Sequence, residues 1–298
     1  MGDNTTPTPP TETGTGTATF HLASSESYAL QHNHLAACRL NLQHYLWREV
    51  FRFNIHPSIP TTTTPLAIAD IACGTSLWLI DTARDLPHAH LDGYDIDLTQ
   101  SPPPQWLPKN ISLHEWDALT PAPAHLHGKY DIIHVRLVVL FLTGIDPTVF
   151  IRNIYTMLKP GGWVQWDELD CANISVKTTT PGVSVPALEE LKVACSADGR
   201  HDWSIELAEI LANHGFEDTK LQFFDEKDEL VRAFGDQHLL TMGEFANKLA
   251  GRGEKLAAGR FNLLVERAYG EMVERGAALA IPRVVALGRR PLSSSSSS

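Results

Sequence analysis

The sequence predicts an α/β protein built on a doubly wound, mainly parallel sheet, with ligands bound at the carboxyl ends of its strands. Three observations predict it. Strand-like apolar runs alternate with helix-period segments between residues 65 and 169. The first run ends in an acid and a turn of small residues, DIACGTS at 70–76. After about residue 172 the rhythm changes to helices, and one last strand-like run, PRVVALG at 282–288, suits an antiparallel strand.

Each element has its own signal. Residues 25–53 read as a helix because Leu35, Cys38, Leu42, Tyr45, Leu46 and Val50 recur at three-to-four spacing. That apolar stripe is expected to pack against the core, with part of it roofing a site. A Pro/Thr linker, HPSIPTTTTP, ends at Pro65. LAIADIA (66–72) reads as a buried strand, SLWLIDTARDL (76–86) as a helix and LDGYDI (91–96) as a second strand. The loop SPPPQWLP leads to a third strand, ISLHEWD (111–117), and YDIIHVRL (130–137) is a fourth. Asp146-Pro147 opens a helix with an apolar face of Phe150, Ile151, Ile154 and Leu158, which KPGG stops. WVQWDEL (163–169) is a fifth strand; helices at roughly 186–197 and 203–214 and the strand TKLQFF follow.

The domain organisation expected from these signals is simple. Residues 1–20, rich in Thr, Pro and Gly, are expected to be a disordered tail. Residues 21–60 form an N-terminal helical lid segment, and 61–292 the main domain, with a helical insertion at about 228–275. Residues 293–298 are a serine tail.

Composition narrows the partners. A net charge of −11 repels phosphate backbones, which argues against nucleic acid. The longest apolar run, LVVLFL at 137–142, is too short to span a bilayer, so no membrane partner is expected. The N-terminus shows no basic and apolar leader pattern. Cys38, Cys73, Cys171 and Cys195 share no CxxC spacing, which suits reduced thiols and a cytoplasmic location. His32, His34 and His44 lack an acid at i+4, so no metal is assigned. The oligomeric state stays open, a homodimer included.

The turn after the first strand carries the functional argument. A nicotinamide fingerprint needs glycine at 72, 74 and 77, and the chain has Ala72, Gly74 and Leu77. Asp70 would also repel a pyrophosphate. A cofactor bearing an ammonium and a sulfonium, such as S-adenosylmethionine, turns that carboxylate into an asset. Asp95, at the end of the second strand, is placed to take both ribose hydroxyls. Asp117, behind Trp116 after the third strand, is placed to accept from an adenine amino group.

With these motifs, DIACGTS, GYDID, EWDAL, YDIIHVR and LKPGGWVQW, the chain resembles the class I S-adenosylmethionine-dependent methyltransferases. SYALQHNHLAACRLNLQH, GRHDW, FGDQHLLTM and IPRVV extend the resemblance to the fungal LaeA-like branch of secondary metabolism. The resemblance implies a Rossmann-like seven-stranded sheet with an antiparallel hairpin and a helical substrate lid. It implies that Asp70, Ala72, Cys73 and Gly74 shape the methionine pocket and that Asp95 holds the ribose. Trp116, Asp117 and Ala118 would hold the adenine, and Tyr28 would close over the cofactor. Two positions depart from the family's glycines. Ala72 is a mild change if its φ is negative, and Ser76 adds a side chain where the backbone should approach the ligand.

Methyl transfer is an in-line displacement in which alignment and desolvation do most of the enzyme's work. Base candidates are His134, Glu168 after strand five, and His201 and His238 where lid meets core; of these His134, within a buried strand, reads rather as a core histidine, which leaves three. Phe141, Trp163 and Trp166 either line an apolar substrate cavity or fill core. The leading expectation is methylation of an oxygen, or less often a nitrogen, of a small secondary metabolite. The alternatives are a cofactor-retaining enzyme of pericyclic or isomerisation chemistry, and a non-catalytic regulator.

Overall fold

The computed structural model describes residues 30, 32–62, 65–142 and 147–292. Tyr28, Asp146, the Thr/Pro tail and the serine tail lie outside the described residues. Nine strands and seven α-helices are defined among the rest. Helix α1 (His34–Phe51) starts at Asn33, whose side chain accepts from the Ala36 amide. Strand β1 (Ala67–Ile71) follows, then α2 (Leu77–Asp85), β2 (His90–Asp95), β3 (Ile111–Glu115) and β4 (Tyr130–Arg136). Next come α3 (Thr148–Met157), β5 (Leu158–Leu169), β6 (Ser175–Thr178), α4 (Pro186–Ser196) and α5 (Leu207–Asn213). The chain closes with β7 (Glu217–Phe224), α6 (Val231–Gly251), α7 (Lys255–Arg275), β8 (Ala277–Ala280) and β9 (Arg283–Arg289).

Seven strands form one sheet in the order β3-β2-β1-β4-β5-β9-β7. Neighbours from β3 to β5 pair in parallel, and β9 runs antiparallel to both β5 and β7. This is the Rossmann-like, mostly parallel sheet with one antiparallel strand. The strand order reverses between β1 and β4, which opens the ligand crevice at their carboxyl ends.

Alternation along the strands gives the sheet two buried faces. Ile68, Ile132, Val285 and Leu287 pack under α1 and α2, while Ala69, Ile133, Val164 and Ala286 pack under α3 and α5. A third cluster joins α4, α6, α7 and β8 into a cap. Glu271 of α7 accepts from the Ala187 and Leu188 amides, so a carboxylate sits on the N-terminus of α4.

Three local expectations are corrected. Leu35, Leu42 and Tyr45 face solvent at 62%, 38% and 46% exposure, and Cys38 is exposed too. The inward face of α1 instead carries Arg39, Gln43, His44, Leu46, Trp47 and Val50. Polar residues turn inward there because the surface beneath α1 is a cavity as well as a core. KPGG does not lie between a helix and a later strand but forms the first part of β5. The small β6–β8 sheet was not expected, since four-residue runs carry too little periodicity to read.

Candidate functional site

A cavity of about 350 Å³ opens at the carboxyl ends of β1, β2 and β4 and continues beneath α1 and α6. Its first end is acidic. Asp70, at the end of β1, is 3% exposed and accepts from His134 Nδ1 at 2.7 Å. The turn after it is tied to β2 twice, by Cys73 N to Tyr94 O at 3.0 Å and Gly74 N to Asp95 Oδ2 at 2.7 Å. Gly93 makes that approach possible, because a Cβ there would meet Leu79 and Leu113 at 2.6 Å.

The two departures from glycine both lie in the left-handed region, Ala72 at φ 60° and Ser76 at φ 61°. The mild case for Ala72 required a negative φ, so that expectation is corrected: the turn carries strain a glycine would not have. Ala72 does line the cavity, whereas Ser76 is fully buried away from it. Its hydroxyl shares a 2.8 Å hydrogen bond with Ser101, which donates to Gly74 O at 2.7 Å. Ser76 therefore braces the turn against the loop after β2 and does not reach toward a ligand.

Asp95 takes a second amide, Asp97 N, at 3.2 Å; burial raises its pKa and the hydrogen bonds from Gly74 and Asp97 oppose that. Trp116, Asp117 and Ala118 follow β3 on the same wall, with Trp116 edge-on to Tyr94 at 5.8 Å and Asp117 Oδ1 accepting from Leu119 N at 2.9 Å. Asp70, Ala72, Cys73, Gly74, Asp95, Trp116, Asp117 and Ala118 thus all stand along one end of one cavity. Tyr28 lies outside the described residues.

The second end lies under the cap, where Leu140, Phe141, Ile174, Met242, Phe245 and Ile281 give an apolar wall. His201, Gln237, His238 and Thr241 supply its polar groups. Burial lowers the His201 pKa to about 4, with Arg200 adding to it, so the ring is neutral at neutral pH. Burial likewise lowers His238, whose Nε2 lies 3.4 Å from Glu226 Oε1. Glu226 also accepts from Arg283 at 3.0 Å, and Arg283 lies over the Phe234 ring at 3.5 Å.

Of the three base candidates, the structure brings two to the cavity and withholds one. Glu168 is fully buried off the cavity wall, accepting from the amides of Val138 and Val139 at 3.0 and 3.1 Å. Burial pushes it up to about 7, yet no path to a substrate accompanies that value. It shapes the loop after β4. Phe141 lines the cavity; Trp163 and Trp166 pack in the core on opposite faces of the sheet.

Sequence reading missed Arg39, Gln43 and His44 on the cavity roof, and it ranked the core reading of His134 above its candidacy as a base. His134 is 1% exposed and also lines the cavity. The available signal was register: Asp70 pairs with His134, and Arg136 with Asp167, across adjacent strands. On α1, Arg39 is locked to Glu244 of α6 at 2.6 Å, joining roof to cap. Among the described residues no three His, Cys, Asp or Glu converge as a metal site, and no helix is long and apolar enough to cross a membrane.

The donor set of the acidic end can be tested against candidate cofactors. Carboxylates of Asp70, Asp95, Asp97 and Asp117 line it. They suit the ammonium, ribose hydroxyls, sulfonium and adenine amino group of S-adenosylmethionine, and they oppose a pyrophosphate.

Comparison with known proteins gives one family match and three relatives. The methyltransferase domain family matches residues 69–164. The methyltransferase grgD of a Penicillium species is 36% identical over 143 residues, which is 44% of this chain and 48% of that protein. The N-methyltransferase sirN of Leptosphaeria maculans is 31% identical over 157 residues, 53% of this chain and 55% of that protein. The secondary metabolism regulator laeA of Coprinopsis cinerea is 35% identical over 102 residues, 34% of this chain and 24% of that protein. The chain spans about half the length of the first two.

Proposed function

We propose that this chain is a class I S-adenosylmethionine-dependent methyltransferase of a LaeA-like branch, a reading supported by the methyltransferase-domain match over residues 69–164 and by its fungal relatives, and that it methylates an oxygen, or less often a nitrogen, of an uncharged small secondary metabolite. One observation carries the reading. The acidic end and the apolar end are two parts of a single cavity, so a cofactor and an apolar acceptor would face each other with water excluded.

S-Adenosylmethionine supplies an electrophilic methyl on a positively charged sulfur. The chain's residues do the rest. Asp95 would hold the ribose, and Asp117 with Trp116 the adenine. Asp70 would face the positive end, within a turn shaped by Ala72, Cys73 and Gly74. Beneath the cap, His201 and His238 are neutral and able to accept a proton from a hydroxyl. Arg39 and Arg136 are paired with Glu244 and Asp167, so among the described residues of the cavity wall neither guanidinium is left for an acidic substrate. A cytoplasmic location fits the four free thiols.

A second reading has an observation of its own. Burial lowers the pKa of both histidines, which weakens them as bases, and Glu168 is sealed off, so the cavity also suits a cofactor-retaining enzyme of isomerisation or pericyclic chemistry. Incubation with labelled S-adenosylmethionine and a panel of neutral phenols, alcohols and amides, read by mass, separates the two. A gain of one methyl mass supports the first reading, and an isomer of unchanged mass the second. Failure to bind the cofactor in a calorimetric titration overturns both.

A further inference from the structure

His134 bonds a carboxylate at each ring nitrogen. Nδ1 lies 2.7 Å from Asp70 Oδ1 and Nε2 lies 3.0 Å from Asp167 Oδ2. A neutral imidazole carries one N–H and can donate to only one of them. The second contact requires a second proton, on the ring or on a carboxylate. Arg136 decides the matter for Asp167, donating to Oδ2 through Nε at 3.0 Å and Nη2 at 2.7 Å, while Gln165 donates to Oδ1 at 3.0 Å. Those bonds favour an ionised Asp167. On the other side, Asp70 stands in the cavity wall with Oδ1 2.7 Å from the ring's Nδ1. A second proton on the ring satisfies both contacts and makes it an imidazolium. Trp78 lies flat on it at 3.8 Å and 2°, the face-on contact a cation favours.

The cluster is closed and balanced. Two carboxylates (Asp70, Asp167) face two cations (His134, Arg136), all but Arg136 at most 3% exposed. Burial opposes charge on His134, but the charge of Asp70 and the hydrogen bonds the ring donates to both carboxylates outweigh it and raise its pKa. The remaining charged neighbours sit above. His44 of α1 lies 3.5 Å from Arg136 Nη1 and 2.9 Å from Asp81 of α2, and burial lowers it to about 4. His44 is thus neutral where His134 titrates.

We propose that His134 is the residue through which this pocket reads the charge of its cofactor: a sulfonium placed beside Asp70 displaces the imidazolium proton to solvent, and the neutral thioether product does so less. The inference rests on the S-adenosylmethionine reading above. No covalent bond changes; the cofactor's added positive charge replaces the proton's share of the charge on Asp70. Binding of the methyl donor then strengthens relative to the demethylated product as pH rises through the His134 pKa. The protein gains a means of favouring donor over spent product at one site.

Calorimetric titration of S-adenosylmethionine and S-adenosylhomocysteine, in paired buffers of different ionisation enthalpy between about pH 6 and 9, tests this. The expected result is more proton release for the donor. The donor-to-product affinity ratio should rise by up to about tenfold for each unit by which the donor lowers the His134 pKa, and His134→Gln should remove both effects. In the unliganded wild-type chain, nitrogen-15 NMR should show both His134 ring nitrogens protonated at about pH 6.5, a readout that holds even if the variant does not fold. Equal proton release for the two ligands, a difference that persists in His134→Gln, or a neutral His134 tautomer overturns the proposal while leaving the cofactor assignment intact. If neither ligand binds, the cofactor reading fails and this proposal with it.

Discussion

Ala72→Gly isolates the strain in the turn over which the cofactor would lie. Ala72 sits at φ 60°, a conformation that costs an L-residue about 1–2 kcal/mol relative to the right-handed one and costs glycine almost nothing. Glycine returns about 0.4–1 kcal/mol of that through the larger entropy of its unfolded chain. No hydrogen bond is lost, because a methyl is all that is removed. The net expectation is a stabilisation of about 0.5–1 kcal/mol. Ser76→Gly is the control, with the same backbone region at φ 61°. It gives up the bond to Ser101, which contributes about 0.5–1.5 kcal/mol, so its net change should be near zero or destabilising. Urea unfolding of both variants at constant m-value reads the two changes as shifts in midpoint. A destabilised Ala72→Gly, with Ser76→Gly equal to it or better, would show that the turn stores no strain at Ala72.

Asp95→Ala should weaken S-adenosylhomocysteine binding about tenfold to a hundredfold, since it removes an ionised acceptor and frees the Gly74 amide. Asp97→Ala, losing exposed contacts to the Thr99 amide and to His32, should change it little; equal losses in calorimetry would refute the assignment. His201 has a folded pKa of about 4, below its unfolded value, so the unfolded chain takes up its proton first as pH falls. Its contribution is present above about pH 6.5 and is lost as pH falls toward 4, by roughly 2 kcal/mol near pH 4.5. His201→Gln should flatten that acid limb in urea midpoints while leaving stability near pH 8 within about 1 kcal/mol. Arg39→Met should destabilise by about 3–5 kcal/mol because Glu244 is left buried without the Arg39 guanidinium; Arg39→Met with Glu244→Leu should recover most of it. A double variant no better than the single would show that the pair is not what joins α1 to α6.

The parallel strands were legible because they are buried on both faces and read as short apolar runs between turn signals. Asp70, Asp95 and Asp117 were legible because each ends such a run, and a strand's end is fixed by its own residues. The inward face of α1 was not. Leu35, Leu42 and Tyr45 have the spacing of a core stripe, but α1 is rotated so that Arg39, Gln43 and His44 face the cavity. That rotation follows from Glu244 and Asp81, which lie on other elements. Glu168 failed as a base candidate for a related reason. It was expected to follow the fifth strand, but it lies within β5, paired with Val284, and two amides from the loop after β4 hold it off the cavity wall.

By itself, then, the sequence determined the strand order of chemistry along the chain: an acid, a small-residue turn, a second acid and a third, each at a strand end. It also determined that the turn departs from glycine at Ala72 and Ser76. Only the tertiary structure decided the backbone those two residues adopt and which hydroxyl Ser76 meets. It alone decided that His134 lies between Asp70 and Asp167, 64 and 33 residues away along the chain. Local propensity can set where a strand begins and ends. The protonation state of a buried histidine depends on charges brought in by other strands, and those distances exist only once the sheet has formed.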